Sequence, residues 1–332
     1  MVNSTTHDAE RKILAILKVL SESSESLGSI TIARGLERHG IFLSERAVRY
    51  HLKITDERGY TEPLGRDGRS ITPLGLEELK SALAPDQVGF ILERLETLAF
   101  KVNFDPVTKT GMLPVNASLF NPDEFKKALP IMKDAFKSKL AVSDYVKIAG
   151  EGEKLGDVVV PKGKIGFATI CSVVINGVLL KAGIPTVSRF GGVLEIRNNK
   201  SRRFTAIINY NGTSIDPSEQ YIRAGMTSVG TAAKTGNGRI LANFREIPAA
   251  ARSNAEATVE RLREAGIFGV YVLGNVSEPV CQIGVGLNRV GMVLLGGLNP
   301  VAAAAEAGIK VENIGESGLI DYNQLTSIWD IN

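Results

Sequence analysis

Three separated stretches of this chain recur further along it at one fixed spacing, and that regularity limits the available folds more than any other feature. Lys109-Thr110-Gly111 returns as Lys234-Thr235-Gly236, the run Ile165 to Ile170 as Val290 to Leu295, and Ala182-Gly183-Ile184 as Ala307-Gly308-Ile309, each 125 residues on. Matches in a single register imply an internal duplication. The two halves cover about residues 101–200 and 226–325, with a connecting segment between them.

Each half repeats one order of periodicities. A strand is expected near 112–117 and 239–244, a helix over 123–136 and 251–264, and a strand near 143–149 and 267–273. An apolar, buried strand follows at 165–171 and 290–296, then a helix at about 173–182 and 299–307, entered through Asn299-Pro300 in the second copy. The Ala-Gly-Ile step reads as a helix end turning into a further strand, with glycine supplying the left-handed conformation. The fold class is therefore α/β (α+β) built by duplication, over residues 101–332. Two such units share a sheet or face each other across a cleft, and clefts of that kind favour small-molecule sites.

The first 85 residues follow a different plan. Ile13, Leu14, Leu17 and Leu20 mark one amphipathic helix, Ser29 can cap a second through Leu36, and Gly40 stops it before Ser44 caps a third that runs to Arg58. Val48 and Leu52 share one face of that third helix, whereas Arg46, Arg49, Tyr50 and Lys53 fall on the other. Asp67-Gly68 in the following GRDGRS suits a tight hairpin whose tip offers Arg66 and Arg69, and Thr72-Pro73 opens a last short helix. The order is that of a small winged-helix DNA-binding domain, with a cationic helix for the major groove and wing arginines for the neighbouring backbone or minor groove. Residues 1–84 hold 12 Lys and Arg against 12 Asp and Glu, so any attraction to DNA comes from segregation of charge and not from its total. An RNA- or protein-binding adaptor is the alternative for such a module. A linker helix is expected over 86–100.

Signals for other chemistry are missing. No run of eighteen apolar residues occurs and the N-terminus lacks signal-peptide order, so the cytoplasm is expected and no membrane association. Cys171 and Cys281 form no C-x-x-C pair, and His7, His39 and His51 are scattered, so no metal site or cofactor is expected. Lys-Thr-Gly lacks the companion motifs of penicillin-recognising serine enzymes, and a turn repeated in both halves explains it better. Gly284-Val285-Gly286 is followed three residues on by Arg289, which breaks the dinucleotide fingerprint. No catalytic residues are assigned; a metabolic enzyme is the remaining alternative. In Ile184 to Glu195, Ser188-Arg189 and Gly191-Gly192 stand amid apolar sequence, which suits either an anionic ligand held by guanidinium, hydroxyl and amide donors or a structural pair of Arg189 with Glu195 or Asp216.

TICSVVINGVLLKAGIPTVSRFGGVLEI (169–196), FTAIINYNGTSIDPSEQYIRAGMTSV (204–229), KTGNGRILANFREIPAAAR (234–252) and VGMVLLGGLNPVAAAAEAGI (290–309) resemble the effector domain of the NrpR family of archaeal nitrogen-regulatory repressors. The N-terminal part is similar to the winged helix that precedes that domain in the family. The resemblance implies a repressor of nitrogen-assimilation genes that binds double-stranded operator DNA and releases it when 2-oxoglutarate binds. It also implies a homodimer or a partner NrpR-type chain, since family members often carry two consecutive effector domains and this chain carries one. For the ligand's carboxylates the family-like segments offer Arg189 first, then Arg223, Arg245, Ser172 and Ser188.

Overall fold

A computed structural model of the protein describes residues 4–21, 23, 25–37, 41–82 and 90–331. The chain divides into two compact units, residues 1–88 and 89–332.

The first unit contains α1 (Ser4–Ser21), α2 (Ser29–Glu37), α3 (Glu45–Glu57), β1 (Thr61–Pro63), β2 (Arg69–Ile71) and α4 (Pro73–Ala82). Ile16, Leu20, Ile32, Leu36, Val48 and Leu52 close a core between the first three helices. Ser44 caps α3, its hydroxyl accepting from Ala47 N at 3.3 Å, which satisfies one of the amides a helix start leaves open. The wing departs from the tight turn expected at Asp67-Gly68. Pro63 pairs with Arg69, and a five-residue loop with one turn of 3-10 helix over Gly65–Asp67 joins the strands. Gly65 and Gly68, not Asp67, take positive φ. Gly68 lies so close to the Leu27 backbone that a β-carbon there would sit 2.4 Å from its carbonyl carbon, so the turn is shaped by tertiary packing.

The second unit begins with α5 (Phe90–Lys101), β3 (Met112–Phe120), α6 (Pro122–Lys137), β4 (Tyr145–Ala149), β5 (Lys154–Leu155), β6 (Val158–Val159), β7 (Ile165–Ile170), α7 (Val173–Lys181), β8 (Val187–Arg197) and β9 (Lys200–Asn209). It continues through α8 (Pro217–Arg223), α9 (Val229–Thr235), β10 (Gly238–Pro248), α10 (Arg252–Glu264), β11 (Val270–Val276), β12 (Arg289–Leu295), α11 (Asn299–Glu306), β13 (Val311–Ile314), β14 (Leu319–Asp321) and β15 (Thr326–Ser327). The element order β3-α6-β4-β7-α7-β8 returns as β10-α10-β11-β12-α11-β13. Both Ala-Gly-Ile steps close their helices in the same way: Ile184 N donates to Leu179 O and Gly183 N to Leu180 O, as Ile309 N does to Ala304 O and Gly308 N to Ala305 O. Gly183 and Gly308 supply the left-handed residue, with φ of 75° and 81°.

The two halves do not fold side by side as closed units. One antiparallel sheet runs β13-β3-β7-β4-β15, with β14 also on β3, and the other runs β11-β12-β10-β8-β9. The last strand of each half has crossed over: β8 pairs with β10, and β13 pairs with β3. Neither half can complete its sheet alone, and one apolar core draws residues from both. Asn299, fully buried, fastens the halves, accepting from Leu241 N and donating to the carbonyls of Leu140 and Leu241. The helix expected as a linker over 86–100 is instead part of this unit. Its residues 86–89 lie outside those described, while Ile91, Leu95, Leu98 and Ala99 of α5 pack against Cys171, Val173 and Tyr210. An apolar stripe of that width is buried where a covering surface exists, and α7 provides one.

Candidate functional site

Register places Asn116 of β3 opposite Thr169 and Asn243 of β10 opposite Leu294, positions that correspond under the duplication. Both asparagines line a cavity with Cys171, Ser172, Tyr210, Asp216, Arg245, Leu298 and Glu316. The space is about 10 Å3, roughly that of one water. Its occupants are strongly polar for a protein interior.

Arg245 is fully buried on β10. Nε donates to Asn176 Oδ1 at 3.4 Å, one Nη to the Phe244 carbonyl at 3.2 Å, and the guanidinium lies over the Tyr210 ring at 4.9 Å. The other Nη has no hydrogen-bond partner, and among the described residues no carboxylate forms an ion pair with the side chain. A buried cation without an anion costs several kcal/mol, so this group is set up to receive one. Around it two hydrogen-bonded chains are fixed. The Tyr210 hydroxyl donates to Asn243 Oδ1, and Asn243 Nδ2 donates to Ser172 Oγ at 3.1 Å. Asn176 Nδ2 donates to Ser188 Oγ at 3.1 Å.

Across the cavity stand two carboxyls. Asp216 caps α8, accepting from Glu219 N at 2.8 Å, and burial pushes its carboxyl up to about 6. Glu316 is 7% exposed, at a strained φ of 45°, and its Oε2 has no hydrogen-bond partner. Burial and the neighbouring Asp216 push it well above the ordinary carboxylate range, while Arg94 opposes the shift. Arg94 also donates to the Glu316 carbonyl at 2.7 Å. Cys171 is buried here and burial raises its thiol, which makes it an inert wall atom.

Of the ligand residues expected from sequence, Arg245 and Ser172 meet in this cavity and Ser188 supports it through Asn176. Arg189 does not. A bulge pairs Phe190 with Phe244 and Ser188 with Arg245, leaving Arg189 as the extra residue, half exposed and 3.4 Å from the buried Glu246. Neither Glu195 nor Asp216 is its partner; Glu195 holds Arg197 and Arg203. Arg223 is exposed at the end of α8, on a separate surface groove with Lys310. Gly191 and Gly192 offer no free amide nest, because they lie mid-strand between β9 and β10. Their bare backbones allow close packing instead, as a β-carbon on Gly191 would stand 2.9 Å from Pro217 Cβ and 3.1 Å from the Tyr210 hydroxyl. Asn116, Asn243 and Glu316 were not singled out in the sequence, where lone asparagines and a glutamate in Gly-Glu-Ser carry no spacing signal.

In the first unit, Arg46, Arg49, Tyr50 and Lys53 are exposed on α3, Arg49 held to Glu45 and Lys53 near Glu57 at 3.9 Å. Arg69 stands where the wing loop enters β2, but its side chain turns back to α3. Its Nε reaches both oxygens of Asp56 at 3.1 and 2.9 Å, and Thr61 donates to the same carboxylate. The Arg66 side chain lies outside the described residues. Among the described residues no cluster of His, Cys, Asp or Glu is placed to hold a metal ion, and no helix is long and apolar enough to cross a membrane.

Residues 88–327 match the family described as NrpR regulatory domains NRD1 and 2, and residues 14–79 match the ribonuclease R winged-helix domain. The chain is 38% identical to the global nitrogen regulator NrpRI of Methanosarcina mazei over 96% of its own length and 98% of that protein's. It is 33% identical to the global nitrogen regulator NrpR of Methanocaldococcus jannaschii, and spans 55% of that longer protein. A crystal structure of a nitrogen repressor-like protein from Methanococcus jannaschii superposes with a TM-score of 0.60 at 28% identity, covering 72% of this chain and 98% of that one. The relatives are named as regulators, not as enzymes.

Proposed function

The chain belongs to the NrpR family of nitrogen regulators, and from that premise we propose that it is a DNA-binding repressor of nitrogen-assimilation genes whose effector, 2-oxoglutarate, binds in the cavity around Arg245. The observation that carries the ligand half is the fully buried guanidinium with one unpartnered N–H and, among the described residues, no ion pair to a carboxylate. A guanidinium fork matches a carboxylate, and Ser172, Tyr210 and Asn243 stand beside it as further polar partners. For DNA, the exposed basic face of α3 supports the reading, together with the winged-helix match.

A cavity the size of one water cannot admit a five-carbon diacid as it stands. The ligand therefore selects a conformation in which the cavity is open, and its effect on DNA equals the difference in its affinity for the two states. Pairing with a second copy, or with another NrpR-type chain, supplies the second winged helix needed to read two half-sites. The test is a gel-shift titration on duplex DNA from upstream of a glutamine synthetase gene, with and without 2-oxoglutarate. Retarded DNA that is released by the ligand is the expected result; preference for RNA, or indifference to 2-oxoglutarate, would reject it.

A further inference from the structure

We propose that the Arg245 cavity also takes a zwitterionic α-amino acid, with its carboxylate on Arg245 and its ammonium against Asp216 and Glu316. This rests on the reading of that cavity as the effector site and goes beyond it in the class of ligand.

Two unpartnered polar atoms line the cavity and they are of opposite kind: a donor, Nη of Arg245, and an acceptor, Oε2 of Glu316. Both side chains are more than nine-tenths buried. Leaving such atoms unpaired costs about 1–3 kcal/mol each, and more where they are charged. A diacid alone can satisfy only the first. It would also bring a second negative charge toward a wall that already holds Asp216 and Glu316, with Glu219 behind them and Arg94 as the nearby cation. An α-amino acid carries a carboxylate for the guanidinium and three N–H donors for the carboxyl wall.

Charge balance points the same way. Asp216 and Glu316 line the same side of the cavity, and burial together with the repulsion of Asp216 makes a further negative charge at Glu316 unfavourable. A zwitterion brings no net charge to this wall. When the ammonium docks, its N–H groups donate to the two carboxyls. A dicarboxylate adds two negative charges beside them.

Calorimetric titration of the full chain with L-glutamate, glutarate and 2-oxoglutarate decides the matter, since the first two differ only by the ammonium group. L-glutamate is expected to bind at least about tenfold tighter than glutarate. In Glu316→Gln that preference should fall below about threefold while 2-oxoglutarate binds as well or better. Should this variant not fold, Asp216→Asn, which keeps a capping oxygen for α8, gives the same readout. Equal affinity for L-glutamate and glutarate, with 2-oxoglutarate still binding, overturns the amino-acid proposal alone. A preference that survives in the folded variant also overturns it, because the ammonium then sits elsewhere. Failure of all three ligands to bind overturns the effector reading of the cavity as well.

Discussion

Arg189 and Arg245 lie on adjacent strands of one sheet, yet the bulge between Phe244 and Arg245 sends them to different environments, one half exposed beside Glu246 and the other sealed against Tyr210. Their consequences for ligand binding should differ accordingly. Arg245→Lys, which keeps the charge but loses the planar fork, is expected to weaken 2-oxoglutarate binding by at least about tenfold. Arg189→Ala should change it by less than about threefold, since a half-exposed pair contributes little. Titration calorimetry on both variants checks this, and the reverse ranking would move the site to the rim.

Asp216 gives a pH dependence of definite sign. Its carboxyl is raised from the ordinary 3.8 to about 6 in the folded chain, so between those values the folded state binds more protons than the unfolded one. Stability contributed by this group is full below pH 3.8, falls as pH rises toward 6, and is level above that. Urea unfolding at a series of pH values should show this decline in the wild type relative to Asp216→Asn. Parallel curves for the two proteins would mean that the carboxyl titrates normally.

Gly191 should not tolerate a side chain. A methyl there meets Pro217 at 2.9 Å and the Tyr210 hydroxyl at 3.1 Å, so Gly191→Ala is expected to cost about 1–3 kcal/mol through overpacking. Displacement of Tyr210 should lower ligand affinity at the same time. Denaturant midpoints together with a ligand titration would detect both; an unchanged midpoint would show that α8 yields freely.

In the winged-helix unit, Arg69 and Arg49 are expected to separate stability from DNA binding. Arg69→Ala breaks a partly buried pair with Asp56 and should lower stability of the winged-helix unit by about 1 kcal/mol. Arg49→Ala loses an exposed pair with Glu45 and an exposed hydrogen bond to Ser29, and should leave stability within about 0.5 kcal/mol while lowering specific DNA affinity by about 1–3 kcal/mol if it reads a base. Thermal unfolding and gel-shift measurements on both variants distinguish the roles.

The sequence by itself determined the elements and their repetition. Local rules decide these: Ser44 before an amphipathic run starts α3, and the glycine of each Ala-Gly-Ile step ends a helix because only that position needs positive φ. It also supplied the exposed cations of α3, since helical period alone puts Arg46, Arg49 and Lys53 opposite Val48 and Leu52. Only the tertiary structure decided that β8 and β13 change places, that a bulge removes Arg189 from the interior, and that Asn116, Asn243, Arg245 and Glu316 meet. These depend on pairings between residues far apart in the chain, such as Glu316 N donating to Asn116 Oδ1 across 200 positions. The free energy that fixes such pairings is burial shared across the whole core, and no single stretch of chain records it.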